Sequence, residues 1–238
     1  MVRVKVMKRL EIDASTLKKL KTLASLPQPA LEQLAANLEV ETVRRKTRVF
    51  EQDEPARRIY LLIKGVVKLS WVNHFYHRVL VTPLAQGEFF GVGSLFPQGH
   101  HPYRSETVTD CVIGTISPEH AVGAIMGVSF DTYLKGNEIL TARVWNSFSR
   151  CIRGMGTPLR KRLALELFDL GNSFGIQDDR GTILALRITH EDLADSIGFS
   201  RQKVTETLAD FEKRGALIRD GRRLILKSER LRELLEQT

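Results

Sequence analysis

The sequence has 238 residues, of which 42% are hydrophobic and 27% are charged, and its formal net charge is +8. This length and composition predict an ordered globular protein with room for two domains or one large domain, and they exclude a largely disordered chain. The apolar runs are far shorter than the roughly 20 residues of a membrane span, and the first ten residues lack the apolar centre of a secretory signal, so we expect a cytoplasmic protein without membrane contact.

The two cysteines argue against metal and disulfide chemistry. Cys111 and Cys151 are 40 positions apart in the sequence. That spacing matches neither the CxxC pattern of a zinc site nor the cysteine density of a disulfide scaffold. We therefore predict two ordinary, partly buried thiols and no metal site.

Short apolar runs separated by turn residues fill the sequence from Val40 to Pro118. Examples are YLLIKGVVKL, LAQGEFF and SETVTDCVIGTI. Runs of this length with Gly, Pro and Asp between them indicate an all-β barrel or jelly roll. We predict such a domain over residues 1–129, with a helical segment, LPQPALEQLAANL, before its main strands.

A long helix is predicted after the β domain. Between Phe130 and Met155, apolar residues recur at spacings that are mostly three to five, which is typical of a helix. The apolar stripe is too long to be buried on one small domain, so we expect the segment 130–157 to pair with its copy in a second subunit. The residues assigned to this dimer interface are Ile139, Val144, Trp145, Phe148 and Ile152.

Residues 158–238 begin with a helix signal. Thr157 and Pro158 predict the N-cap and the first residue of a helix that extends to about residue 172. A polar loop, GIQDDRGTI, is expected after it.

Two further helices and a hairpin follow, in the pattern of a winged helix-turn-helix. Thr189 begins a capping pattern and Gly198 ends a short helix, after which Ser200 caps a second helix. Val204, Leu208 and Phe211 form the inward face of that second helix. Next, the Asp220-Gly221 pair in ALIRDGRRLILK predicts a two-residue hairpin turn. The predicted fold class is therefore α+β.

The first turn of the second helix carries the residues expected to contact DNA. The case depends on this local pattern, because residues 158–238 contain 15 Lys and Arg against 14 Asp and Glu. A helix N-terminus attracts phosphate and can enter a major groove, where Arg201 can pair with guanine and Gln202 with adenine. The residues assigned to DNA binding are Thr189, Ser200, Arg201, Gln202, Lys203, Thr205, Arg222 and Arg223. The role of Glu206 is left open, since a carboxylate repels phosphate unless it accepts from a cytosine amino group.

The order of these parts resembles the CRP/FNR family of bacterial transcription regulators. The resemblance extends from about residue 20 to residue 230 and is strongest in ITHEDLADSIGFSRQKVTETLADFEKRGAL and in YLLIKGVVKL, LAQGEFFGVGSLF and YRSETV. It implies a homodimer that binds a two-fold symmetric DNA site, an effector in an N-terminal sensor domain, and RNA polymerase as a further partner.

The resemblance also implies an effector site. In members that bind cyclic nucleotides, a Gly-Glu pair and a later Arg-Ser pair hold the ligand; here Val92 stands where the glutamate is expected, while Arg104 matches the phosphate-binding arginine. A cyclic nucleotide therefore remains one candidate effector, and the identity of the effector is unknown. The effector-binding residues implied in this way are Gly91, Arg104, Ser105, Ser147 and Phe148.

Metal-dependent branches of the family fit less well. The chain has no cysteine cluster for an iron-sulfur centre. A haem would need ligands in the sensor domain, and the histidines there include a pair in a turn, which is more often solvated than ligating, so haem is not expected. The histidine candidates are His74, His77, His100 and His101.

Two other functions compete with DNA binding. No nucleophile, base and orienting acid occur together in a recognisable spacing, and no phosphate-binding or dinucleotide fingerprint is present, so we do not expect an enzyme. The alternative is a nucleotide-binding signalling adaptor whose winged helix binds protein rather than DNA.

Overall fold

The structure is a computed structural model that describes residues 6–72, 78–154, 156–221 and 223–236. The chain divides into two compact units, residues 1–148 and 149–238. The domain limits predicted above, at residues 129 and 157, stay a prediction. Within the described residues, no helix combines the length and the apolar character needed to cross a membrane.

The first unit is built on two antiparallel sheets. Its strands are β1 (Val6–Leu10), β2 (Glu39–Val43), β3 (Arg48–Phe50), β4 (Ile59–Lys64), β5 (Val67–Val72), β6 (Arg78–Leu84), β7 (Phe89–Phe90), β8 (Arg104–Thr107) and β9 (Cys111–Ile116). One sheet has the order β1-β2-β9-β4-β7 and the other has the order β3-β8-β5-β6. The predicted β-rich domain is confirmed, in the form of two packed sheets rather than a closed barrel.

An apolar cluster joins the two sheets. Phe90 of β7 and Ile113 of β9 pack together with Phe50 of β3 and Leu69 of β5, and Leu69 and Phe90 are fully buried. Successive residues of a strand point to opposite faces. The neighbours of these side chains on the first sheet, such as Phe89, therefore face a second cluster under the helices.

Three helices cover that second face. They are α1 (Ala14–Lys18), α2 (Gln28–Asn37) and α3 (Pro118–Met126). Leu31 and Leu34 of α2 are fully buried in this cluster, which confirms the helix predicted before the strands. The strand β1 was not predicted from the sequence.

The long helix α4 (Phe130–Gly154) is also confirmed. It packs closely on α3 at Gly136. A Cβ atom added at this residue would lie only 2.0 Å from Cγ2 of Ile125. Ile139, which is in the predicted dimer set, packs against the helical cluster of its own unit. Trp145, Phe148 and Ile152 are 68%, 57% and 50% exposed.

The second unit combines four helices with one sheet. Its elements are α5 (Leu159–Phe174), β10 (Gly175–Asp178), β11 (Gly181–Leu184), α6 (His190–Ile197), α7 (Arg201–Lys213), β12 (Leu217–Asp220), β13 (Arg223–Leu226) and α8 (Ser228–Glu236). The sheet has the order β10-β11-β13-β12. Leu163, Leu193, Val204, Leu208 and Phe211 are fully buried in one core. The inward face predicted for α7 is therefore confirmed.

Three local predictions in this unit are wrong. The N-cap of α5 is Pro158 rather than Thr157, with the helix starting one residue later. The expected loop GIQDDRGTI forms the β10–β11 hairpin, in which every residue of β10 is exposed and only Ile176 is a large apolar residue. Asp220 lies in β12 and pairs with Arg223, so the hairpin turn starts at Gly221.

A row of isoleucines crosses the sheet on the face opposite the core. Ile176 pairs with Ile183, Ile183 with Ile225, and Ile225 with Ile218. Leu224 and Leu226 pack on the core, so Ile225 between them points away from it. Ile225 is nevertheless fully buried, while Ile176 at the sheet edge is 60% exposed.

The contact between α3 and α4 generates a stability prediction. We expect Gly136→Ala to destabilise the protein by about 1–3 kcal/mol, because Ile125 is buried and has to move away from the added methyl group. Gly123→Ala is the matched control: Gly123 lies in α3 with nothing within 4 Å of its Cβ position, so the change should be neutral or stabilise by up to about 1 kcal/mol. Urea unfolding followed by circular dichroism measures both changes. Equal effects of the two would contradict the close packing.

Candidate nucleic-acid interface and effector site

The geometry of α6 and α7 is fixed by caps and one left-handed residue. Thr189 and Asp192 form a capping box at the start of α6, with the threonine hydroxyl accepting from the Asp192 N–H. Gly198 ends α6 with φ of 70°, a conformation that residues with a Cβ adopt at a cost. Ser200 then caps α7 by accepting from the Lys203 N–H. Both predicted caps and the predicted turn are confirmed.

The N-terminal turn of α7 presents polar side chains to solvent. Arg201, Gln202 and Lys203 are all exposed, whereas Val204 behind them is fully buried. The Arg201 side chain is 71% exposed, and its closest carboxylate contact is 4.0 Å, from Nε to Oε2 of Glu191. At that distance and exposure the ion pair is weak, so the guanidinium is available to another partner.

The hydroxyl groups of the predicted site are largely engaged within the protein. The Thr189 hydroxyl donates to Oδ2 of Asp192 at 2.8 Å, and the Thr189 N–H is 3.2 Å from the same oxygen. Thr205 donates to the carbonyl of Arg201 at 2.8 Å. Phosphate contacts by Thr189 and Thr205 stay predictions, and each would require one of these bonds to break.

Gln202 and Glu206 form a pair on the exposed face of α7. Nε2 of Gln202 donates to Oε1 of Glu206 at 3.0 Å. This bond orients the amide, and it uses part of the acceptor capacity of the carboxylate. Glu206 therefore has a partner on its own helix, a role that the sequence left open.

His190 is the main residue at this interface that the sequence reasoning missed. It is the first residue of α6, and its Nδ1 lies 2.8 Å from the Thr205 hydroxyl on α7. Burial, followed by the charges of Arg219 and Arg201, lowers the pKa of His190, while Glu212 opposes this. Its position directly after a helix N-cap was the available signal.

The β12–β13 hairpin, which forms the wing, contributes one described residue to the predicted site. Arg223 is exposed at the start of β13 and pairs with Asp220 of β12. Arg222, also assigned to DNA binding, lies outside the described residues.

The predicted effector residues lie in three parts of the chain: Gly91 before a short 3-10 helix, Arg104 and Ser105 on β8, and Ser147 and Phe148 on α4. Gly91 has φ of 75° and starts a short 3-10 helix, Val92–Leu95; a Cβ at Gly91 would lie 2.7 Å from the Tyr60 ring. Val92 packs against the helical cluster. Val92, which stands where the glutamate is expected, thus contacts apolar neighbours instead of a ligand group.

Arg104 and Ser105 are adjacent on β8. Nε of Arg104 donates to the hydroxyl of Ser70 at 3.2 Å. Ser105 is fully buried, and its Oγ has no hydrogen-bond partner within the described parts of the chain. A buried hydroxyl without a partner costs about 1–3 kcal/mol, so this position is suited to a ligand group.

Aromatic rings adjoin this position. Phe50 pairs with Ser105 across the β3–β8 ladder and stacks on His101 with ring centroids 3.7 Å apart. His101 is 3% exposed, and burial lowers its pKa to about 4. The prediction that both histidines of the pair are solvated is wrong for His101, because stacking on Phe50 buries it.

Other predicted candidates give less information. The side chains of Ser147, Val144 and Cys151 lie outside the described part, as do residues His74 and His77. Cys111 is 1% exposed, and burial raises the pKa of its thiol. Among the described residues, no three His, Cys, Asp or Glu side chains are grouped to hold a metal ion.

Two family profiles match this chain. Residues 40–126 match the cyclic nucleotide-binding domain, and residues 161–234 match the Crp-like helix-turn-helix domain. The first range includes β3 to β9 and α3, and the second includes the α6–α7 pair.

Curated relatives match about three quarters of this chain. A CRP-like cAMP-activated global transcriptional regulator of Mycobacterium tuberculosis is 28% identical over 188 residues, 77% of this chain and 82% of the relative. The global nitrogen regulator of Synechococcus elongatus is 28% identical over 180 residues, 74% of this chain and 80% of the relative.

Solved structures have the same fold. FixK2 from Bradyrhizobium japonicum has a TM-score of 0.71 at 18% identity, covering 83% of this chain and 96% of that one. A CRP-family transcriptional regulator, TTHB099 from Thermus thermophilus, has a TM-score of 0.68 at 21% identity, covering 83% of this chain and 97% of that one. The two matched profiles and the curated relatives identify the chain as a member of the CRP/FNR family of DNA-binding transcription regulators, and the solved structures share its fold.

Proposed function

We propose that this protein is a homodimeric regulator that reads a two-fold symmetric DNA site with the N-terminal turn of α7, under the control of an effector in the two-sheet unit. The observation that carries the proposal is the exposure of Arg201, Gln202 and Lys203 on a helix whose opposite face is buried. Such a tip fits a major groove. No catalytic role is proposed, and RNA polymerase stays a predicted partner.

Exposed apolar side chains on α4 support the dimer. Trp145 and Phe148 are in contact, with ring centroids 6.5 Å apart, and both are more than half exposed. Ile152 lies one turn further along the helix and is half exposed. Pairing this stripe with its copy would remove the three side chains from water, which is favourable by roughly 25 cal/mol for each Å² of apolar surface.

An anionic group is the effector feature that Arg104 and Ser105 support best. A guanidinium and a neighbouring hydroxyl form a charge-assisted clamp for a phosphate or carboxylate. The similarity to a cAMP-activated regulator makes cAMP the first ligand to test. Val92 removes the contact that a glutamate would make to the ribose, so any cyclic nucleotide would bind through its phosphate without that contact.

We expect Arg201→Ala to reduce the discrimination between cognate and scrambled DNA. The loss of one bidentate base contact is worth about 1–3 kcal/mol, or about 5- to 150-fold in the affinity ratio. Mobility-shift assays of wild type and variant on both duplexes measure the ratio. Arg230→Ala is the matched control, since Arg230 is an exposed arginine on α8. An unchanged ratio for Arg201→Ala would contradict the recognition helix.

A steep loss of affinity with added salt is expected for the wild type, because neutralised phosphates release counterions. A winged helix that docks on protein through apolar contacts would depend on salt weakly. Fluorescence anisotropy at several salt concentrations distinguishes the two functions.

Trp145→Asp is expected to disrupt the dimer, because it places an unpaired charge in the apolar seam. Trp145→Phe keeps an aromatic ring and should preserve the dimer. Sedimentation velocity at matched concentrations gives the oligomeric state of each variant. A dimeric Trp145→Asp protein would argue against α4 as the interface.

With cAMP as the probe, we expect Arg104→Gln to weaken binding by about tenfold or more, since the glutamine keeps hydrogen bonding but loses the charge. Isothermal titration calorimetry compares the two proteins. Identical isotherms would contradict the clamp.

A further inference from the structure

We infer that His190 is a further DNA-contacting residue, which approaches a backbone phosphate with Nε2 while Nδ1 is held by the recognition helix. The inference rests on the proposed binding of DNA by α7. It assigns a residue outside the predicted set, and it makes the affinity for DNA depend on a proton.

A chain of hydrogen bonds sets the orientation of the imidazole. The Thr205 hydroxyl has one proton, and it donates this proton to the Arg201 carbonyl at 2.8 Å. The same oxygen is 2.8 Å from Nδ1 of His190, so it accepts there and Nδ1 carries a hydrogen. Nε2 is then the nitrogen left for an external partner: an acceptor in the neutral ring and a donor in the cation.

The surroundings favour an anion at that nitrogen. His190 occupies the first turn of α6, at the positive end of the helix dipole. Arg201 of α7 and Arg219 of β12 act on it as cations. Two carboxylates offset part of this positive charge: that of Glu212 is 3.2 Å from Nε of Arg219, and that of Glu191 is 4.0 Å from Nε of Arg201.

Protonation and DNA binding are therefore linked. In the free protein, burial and the two arginines lower the pKa of His190, so the ring is neutral near pH 7. A phosphate at Nε2 acts in the opposite direction and raises this pKa. Between the lower free value and the higher bound value, binding takes up a proton, and the affinity rises as the pH falls.

A pH series tests the linkage. A duplex selected by the wild-type protein from a random pool serves as the probe, and fluorescence anisotropy gives Kd from about pH 8 to about pH 5.5, the range in which histidine titrates. We expect the wild-type affinity to rise by up to about tenfold per protomer for each pH unit within the linked window. His190→Gln should remove most of this dependence.

His120→Gln is the matched control, because His120 is exposed on α3 of the other unit. It should keep the wild-type pH profile. At the acidic end, the salt dependence provides a second readout: wild type should exceed His190→Gln by about 0.9 in the slope of log K against log salt for each added contact. Thermal unfolding of each variant checks that the fold is retained.

A pH profile of His190→Gln identical to that of wild type would overturn the inference while leaving DNA binding by α7 intact. A nitrogen NMR spectrum of wild type in which the neutral His190 ring carries its proton on Nε2 would also overturn it. If instead wild type binds no duplex with sequence preference at any pH, the proposed function itself fails.

Discussion

The placement of the recognition helix depends on the backbone turn at Gly198. This residue has φ of 70°, and its N–H bonds to the carbonyl of Ala194. A residue with a Cβ pays about 1–2 kcal/mol for that conformation. Since Ser200, the N-cap of α7, lies only two residues later, a change in the turn would redirect every side chain of α7 together. Base discrimination by α7, as proposed above, would thus rest on a backbone conformation outside that helix.

The polar residues around this turn divide into two groups. Thr189, Ser200 and Thr205 satisfy backbone groups or neighbouring side chains of the protein. Arg201 and Lys203 are exposed, with long side chains that reach outward. Short hydroxyls therefore shape the helices, and the cationic side chains remain available to the duplex. A sequence pattern alone assigns both groups to the interface, because it shows residue type and position but not which hydrogens are already used.

The sequence predicts best where one local rule decides the structure. Capping at Thr189 and Ser200 and the glycine between them fix α6 and α7 with no reference to the rest of the chain. The predicted position of the turn at Asp220 is wrong by one residue, because the register of the hairpin is set by longer-range pairing, in which Leu217 lies opposite Leu226. Burial of His101 likewise comes from Phe50, about fifty positions away in sequence.

The candidate effector residues show the same limit of sequence-based prediction. Arg104 and Ser105 are found from a motif, but the absence of a partner for the Ser105 hydroxyl among the described residues depends on the packing of three strands around it. The apolar contacts of Val92 are equally invisible in the motif. Motif reading therefore predicts the candidate residues, and packing decides which ligand groups would suit them.

The isoleucine row joins the two hairpins of the sheet in the second unit, β10–β11 and β12–β13. A two-stranded ribbon is marginal in water, yet Ile225 is fully buried between Ile183 and Ile218 of its two neighbours. Fraying of β10–β11 would expose part of the Ile225 side chain to water, so we expect the two hairpins to open together. Loosening of the β10–β11 hairpin would therefore also affect β13, the strand that begins with Arg223.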